Sequence, residues 1–296
     1  MSKGRNTAGS GGRIKRSLAG RGPTPKAEDR VYHKAHKAKQ FTERRQASKP
    51  ARTKVSGEWV VGRNPVLEAL QAGLPVKTAY IAEGAERDDR LREILRYAAA
   101  HSIPMLQATK PELDRLTGGA VHQSVALLLP SYEYADVLDV LDTAQVNDGI
   151  VVACDQITDP HNLGAIIRSA AAFGAYGVVI PSRRSARMTA AAWKASAGAA
   201  ARLPVAQVVN LNRALEQFTD AGFTILGLAG EGDDVVGAQR VEGPVVLVVG
   251  SEGEGLSRLV REHCDSLVRI PITDTVESLN ASVATSIALY ELTRQS

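Results

Sequence analysis

Cysteine is scarce in this chain of 296 residues: Cys154 and Cys264 are its only two. Two thiols make no disulfide framework, and both lie in or beside apolar runs, so they read as buried free thiols in a reducing compartment. No apolar run approaches the roughly 18 residues that a spanning helix needs. The opening Met1-Ser2-Lys3-Gly4-Arg5 lacks the apolar centre of a secretory signal. Together these absences predict a soluble, cytoplasmic chain with no membrane partner. Also missing are a Gly-x-Gly-x-x-Gly turn after the first strand of the second half and a Lys-Ser/Thr pair after its Gly-rich turn. Their absence argues against a dinucleotide-dependent dehydrogenase and a P-loop enzyme.

Residues 1–55 lack large aliphatics apart from Ile14, Leu18, Val31 and Val55, and are rich in Gly, Ser, Thr and Pro. Such a segment cannot bury enough apolar surface to offset the entropy of ordering, so it is expected to be a disordered arm. It carries 16 Lys/Arg against three acids, a balance of +13, while the remainder carries −9 within an overall +4. A basic arm on an acidic body is expected to attract a polyphosphate partner, RNA or DNA.

Beyond the arm, residues 56–130 read as a small α/β unit: a short helix around Val66–Leu70, strands at Thr78–Ile81, Ile103–Leu106 and Val125–Leu129, and an amphipathic helix from Arg87 to His101. Residues 131–148 read as a connecting segment, partly helical around 137–141. From Gly149 onward, strands at Ile150–Cys154, Gly177–Ile180, Val205–Val209, Thr224–Leu228, Val245–Val249 and Leu267–Ile270 alternate with helices. The predicted helices are Gly164–Phe173, Ala190–Ala199, Leu211–Ala221, Leu256–His263 and Leu279–Thr293. This alternation predicts a mostly parallel sheet covered on both faces, with any ligand at the carboxyl ends of the strands.

Three segments at those ends could carry chemistry. In Asp159-Pro160-His161-Asn162-Leu163-Gly164, Asn162 stands where a helix cap is expected, and Arg168 follows in an otherwise apolar helix. In Gly250-Ser251-Glu252-Gly253-Glu254-Gly255, the glycines allow a tight turn near a ligand, while the two carboxylates would repel a phosphate and suit a neutral or cationic one. In the third, Pro271 after Ile270 ends the strand, and Ser278-Leu279-Asn280 opens the last helix.

In this order and spacing the segments resemble the three motifs of the SpoU branch of the SPOUT superfamily, the RNA 2′-O-ribose methyltransferases. The matching residues are Asn162-Leu163-Gly164 with Arg168, Gly250-Ser251-Glu252 with Gly255, and Ile270-Pro271 with Ser278-Leu279-Asn280. The likeness covers 149–296. Gly62-Arg63-Asn64-Pro65-Val66-Leu67-Glu68-Ala69-Leu70 and His122-Gln123 resemble the L30e-like RNA-binding domain of the bacterial rRNA guanosine methyltransferases. Two places depart from the pattern: Ile272-Thr273-Asp274-Thr275 replaces a loop that often holds Met and Gly, and Ser124 stands where Gly usually follows His-Gln.

The resemblance implies a parallel-sheet domain with a trefoil knot and a homodimer. It implies S-adenosylmethionine as methyl donor, no metal, and RNA, foremost 23S rRNA, as substrate. It places Gly250, Ile270 and Leu279 at the donor and Arg168, Asn162, Glu252, Ser278 and Asn280 in catalysis. A tRNA ribose, a resistance-type rRNA adenosine target and a non-catalytic RNA-binding role are the alternatives.

Overall fold

The computed structural model describes residues 57–86, 88–238, 241–273 and 275–294; the basic arm predicted over 1–55 lies outside them. The first described sheet has four strands in the order β1-β4-β2-β3, with β1 at Glu58–Val61, β2 at Thr78–Ala82, β3 at Met105–Ala108 and β4 at Val125–Leu129. β4 runs antiparallel to both β1 and β2, and β3 runs parallel to β2. β4 is buried along its whole length, as its unbroken Val-Ala-Leu-Leu-Leu sequence requires. Helices α1 (Arg63–Gln71) and α2 (Asp89–Ala100) cover the sheet through Val66, Leu70, Leu91 and Ile94, and α3 (Lys110–Leu116) adds Leu113.

The second sheet has seven strands, all parallel, in the order β7-β6-β5-β10-β8-β11-β9. They are β5 Ile150–Cys154, β6 Gly177–Pro181, β7 Val205–Val208, β8 Thr224–Leu228, β9 Asp234–Val235, β10 Val245–Val249 and β11 Ser266–Arg269. β10 lies between β5 and β8, and all five of its residues are buried. The pleat sends Val245, Leu247 and Val249 to one face and Val246 and Val248 to the other. Each such side chain withdrawn from water contributes about 1.5–3 kcal/mol.

The first face is covered by α5 (Pro160–Ala172), α6 (Ala190–Ala195) and α9 (Ala281–Thr293). The second is covered by α4 (Val137–Val146), α7 (Leu211–Asp220) and α8 (Arg258–Glu262). The predicted parallel α/β sheet is therefore present. Residues 131–148, expected to connect two units, hold a ten-residue helix whose Val140, Leu141 and Ala144 are buried against this sheet. β1, α3 and the two-residue β9 were not anticipated; each is too short to show a hydrophobic period.

Chain order reverses at the border of β5 and β10. From β5 the chain moves outward to β6 and β7, and it then returns on the far side of β10 through β8. The loops that leave β5 and β10 therefore diverge at their carboxyl ends and open a crevice, the usual ligand position in an open α/β sheet.

Candidate active site

The loop after β5 leads into α5, four residues earlier than the glycine at which the helix was expected to begin. Asp159 is the cap: its Oδ1 accepts from His161 N at 2.9 Å, and Pro160 takes the first helical position. Asn162, expected to be the cap, instead lies in the first turn, with its side chain free to reach sideways. Gly164 serves packing rather than a ligand, since a Cβ there would stand 2.3 Å from Ala192 O and 2.5 Å from Ala195 Cβ of α6.

The loop after β10 folds back on itself. Ser251 N donates to Gly255 O at 3.1 Å and Gly255 N to Ser251 O at 3.0 Å. A Cβ on Gly250 would stand 2.2 Å from the carbonyl carbon of Gly255, so this loop itself demands glycine there. Gly253 and Gly255 take φ values of 90° and 67°, which L-residues seldom adopt. Glu252 is thereby held at the tip.

The third loop, after β11, ends at Asn280, whose Oδ1 accepts from Ser282 N at 2.9 Å and Val283 N at 3.3 Å and so caps α9. Its amide Nδ2 is left to face the other loops. There the three segments meet. Asn162 Nδ2 donates to Glu252 Oε1 at 2.9 Å, Asn280 Nδ2 donates to Asn162 Oδ1 at 3.0 Å, and Asn280 Nδ2 and Ala281 N both donate to Glu252 Oε1. One oxygen of the exposed Glu252 carboxylate, Oε1, is thus engaged within the protein. It clasps the loops and sits at the positive end of α9.

A further tie was not anticipated from the sequence: buried Asp155 accepts from Ser257 N at 2.6 Å through Oδ2, joining the end of β5 to the far side of the Gly-rich loop. The available signal was a carboxylate placed directly after five buried apolar residues.

Around this clasp the loop after β11 is exposed and sparsely bonded. Between Pro271 and Leu279 the described residues share one backbone hydrogen bond, Val276 N to Thr273 O. Its remaining amides and carbonyls, flanked by half-buried Ile270 and Leu279, can meet the edge of an aromatic heterocycle. Ser278 is exposed in this loop and makes no hydrogen bond within the described chain. Arg168 is exposed on α5, two turns past Asn162, with no hydrogen bond or ion pair to a described residue. Among the described residues no group of three His, Cys, Asp or Glu side chains is placed to hold a metal.

Residues 149–290 match the model of the SpoU rRNA Methylase family, and residues 59–135 match that of the RNA 2′-O ribose methyltransferase substrate-binding domain. An uncharacterized tRNA/rRNA methyltransferase of Mycobacterium sp. (strain KMS) is 50% identical over 291 residues, covering 98% of this chain and 93% of that protein. The chain belongs to the SpoU family of RNA methyltransferases. Among solved structures, the SpoU methyltransferase AviRb from Streptomyces viridochromogenes, in complex with AdoMet, aligns with a TM-score of 0.58 at 30% identity, over 82% of this chain and 92% of that one. An rRNA methyltransferase from Sinorhizobium meliloti aligns with a TM-score of 0.56 at 25% identity, over 85% and 92%. The family match takes in all three loops of the clasp, and the substrate-binding match takes in the four-stranded sheet.

Proposed function

We propose that the chain transfers a methyl group from S-adenosylmethionine to the ribose 2′-oxygen of an RNA nucleotide. The observation that carries this reading is the convergence of Asn162, Glu252 and Asn280 on one another at the β5–β10 crevice. Open loop backbone beside half-buried Ile270 and Leu279 suits the adenosine part of the donor, and in this reading the Gly250 backbone also contacts it. When bound, the donor supplies an electrophilic methyl on a positive sulfonium.

The protein's own work is to place the ribose in line with that methyl and to manage the hydroxyl proton. A guanidinium keeps its proton in ordinary protein surroundings. Arg168 therefore acts electrostatically, stabilising the developing alkoxide and the adjacent phosphate while the proton leaves to water. Asn162 and Asn280 orient the ribose, Glu252 holds both amides, and Ser278 contacts the sugar from the loop.

Arg168 reaches this position across a homodimer. Val283 and Tyr290 of α9 are 46% and 51% exposed on one stripe with half-buried Ile287, an apolar face that suits a second copy. The insertion of β10 between β5 and β8, and the tie from the start of α9 back to the β10 loop, support a trefoil knot. In this reading residues 56–130 form an L30e-like substrate domain, 131–148 a junction and 149–296 the catalytic domain. The substrate is a guanosine in 23S rRNA, methylated in the cytoplasm. No helix of the described residues is long and apolar enough to cross a membrane.

The test is to supply the protein with labelled S-adenosylmethionine and separate rRNA and tRNA pools, then map 2′-O-methyl positions. Label in a base, or in no RNA at all, defeats the reading. Label in tRNA alone moves the substrate and leaves the chemistry.

A further inference from the structure

The loop Ser182-Arg183-Arg184-Ser185-Ala186-Arg187 follows β6, the strand next to β5, and so emerges at the same edge of the sheet as the clasp. It holds three arginines and no acid. All three are exposed, and none of their guanidinium groups makes a hydrogen bond or ion pair to a described residue. The loop is nevertheless fixed. Ala186 N donates to Ile157 O at 2.7 Å and Ser185 Oγ to the same oxygen at 3.2 Å, so it is fastened to the β5 loop five residues before Asn162. Arg184 takes a left-handed φ of 55°, held between these ties and the bond from Ser182 N to Val208 O at 2.8 Å. Like charges fastened together without counter-charges are unfavourable unless an anion is shared among them.

The next residue extends the feature. Met188 N donates to Tyr134 Oη at 3.0 Å, which joins the loop to a groove of about 770 Å³ between the two sheets. Its wall is aromatic: Tyr132 lies 5.0 Å from Tyr134 and 5.4 Å from Trp193, edge to face in both cases. The volume falls within the range of clefts that hold small organic ligands, about 300–1,000 Å³. Glu58 also lines the groove; burial pushes its carboxyl above the ordinary value, and the Ala190 amide nearby opposes that shift. A carboxylate repels phosphate but accepts from the N–H groups of a base. Arg202 and Glu133 line the groove as well, so its charge is mixed; its aromatic wall favours the base, and the arginine loop favours the phosphates.

We propose that this loop and groove form a docking track for single-stranded substrate RNA next to the target ribose, with Arg183, Arg184 and Arg187 on the phosphates and an unstacked base against Tyr132, Tyr134 and Trp193. The proposal rests on the RNA methyltransferase reading and adds residues which no part of that chemistry uses.

Two measurements on the full chain with a short single-stranded RNA test it. In the first, Arg183→Ala/Arg184→Ala/Arg187→Ala is compared with wild type for RNA affinity across a salt series. Losing three phosphate contacts flattens the log–log salt slope by about two and weakens binding at least tenfold at low salt, with S-adenosylmethionine affinity unchanged. An unchanged slope overturns the phosphate half. In the second, Trp59→Phe leaves Trp193 as the sole tryptophan. Its emission is expected to be quenched in step with RNA saturation; saturation without any change in emission overturns the groove half. If wild type neither binds nor methylates RNA, the methyltransferase reading is at fault. If wild type methylates RNA and the triple variant keeps its salt slope, only the track is lost.

Discussion

Asn280 Nδ2 donates to Glu252 Oε1 at 2.5 Å across 28 positions of sequence, so the cap of the last helix is also a strut of the Gly-rich loop. The same carboxylate oxygen accepts from Asn162, 90 positions away, and from Ala281 N. One acceptor serving three donors from two segments makes Glu252 the point at which the three loops are joined.

Removing that acceptor should loosen all three loops together. Glu252→Ala is expected to cost about 1–2 kcal/mol of stability and at least tenfold in S-adenosylmethionine affinity, while Glu252→Gln, which keeps an acceptor oxygen, retains most of both. Thermal melts beside a calorimetric titration check this. Equal losses in the two variants would show that charge, not the shared acceptor, matters.

The Arg168 side chain makes no hydrogen bond or ion pair to a described residue, so its truncation should leave the fold intact. Arg168→Ala is expected to lower the turnover number about a hundredfold or more with donor affinity nearly unchanged. Single-turnover methylation assays read this, and full turnover in the variant removes Arg168 from the chemistry.

The α9 stripe predicts the assembly. Val283→Glu with Tyr290→Glu should convert a dimer to a monomer by light scattering and abolish transfer, because Arg168 is then separated from its ribose. A variant that remains dimeric places the interface elsewhere.

Ser124 has a φ of 69° and follows Gln123 at 47°, so two consecutive L-residues occupy the left-handed region. The turn is held by Ser124 N donating to Nδ1 of buried His122 at 3.0 Å, a backbone bond that glycine at 124 keeps. Ser124→Gly therefore relieves strain at the cost of a freer unfolded chain, a net gain of about 0.5–1 kcal/mol. Urea denaturation midpoints would test it, and a lower midpoint contradicts it.

Burial pushes the Cys154 thiol up to about 12, with Asp155 adding to the effect, and burial pushes that of Cys264 up to about 11, with Asp265 adding and Arg261 opposing. The folded chain thus holds these protons more tightly than the unfolded chain, whose thiols ionise near 9. Stability from this source is complete below about pH 8 and declines as pH rises through 9 toward 11. Denaturation at about pH 8 and about pH 10 should show the decline, and it should shrink in Cys264→Ser. Both native thiols should react slowly with a thiol reagent at about pH 8.

Much of the fold was legible because its central strands are short, mostly apolar runs, with four of the five residues β-branched in Val245–Val249. Ile150–Cys154, Thr224–Leu228, Val245–Val249 and Val125–Leu129 coincide with their predicted spans, since a strand covered on both faces tolerates only apolar residues. Helix ends were less legible. The start of α5 depends on Asp159 and Pro160, two local signals outweighed in the reading by the more distant Gly164. α4 runs to Val146, past the stretch around 137–141 that the sequence marks as helical, because Asp142, Thr143, Gln145 and Val146 face solvent and extend no apolar stripe.

The sequence by itself determined the residue types of the site and their attachment to strand ends, because hydrophobic period and cap chemistry act over a few residues. Only the tertiary structure decided how those side chains are used. The parallel order places β10 beside β5, and with that placement one oxygen of Glu252 is bonded to Asn162 and Asn280. It also brings Asp155 to Ser257 and fastens an arginine loop beside the clasp. Partners that lie 28 to 118 positions apart leave no periodic trace along a chain, so their pairing appears only once the sheet is assembled.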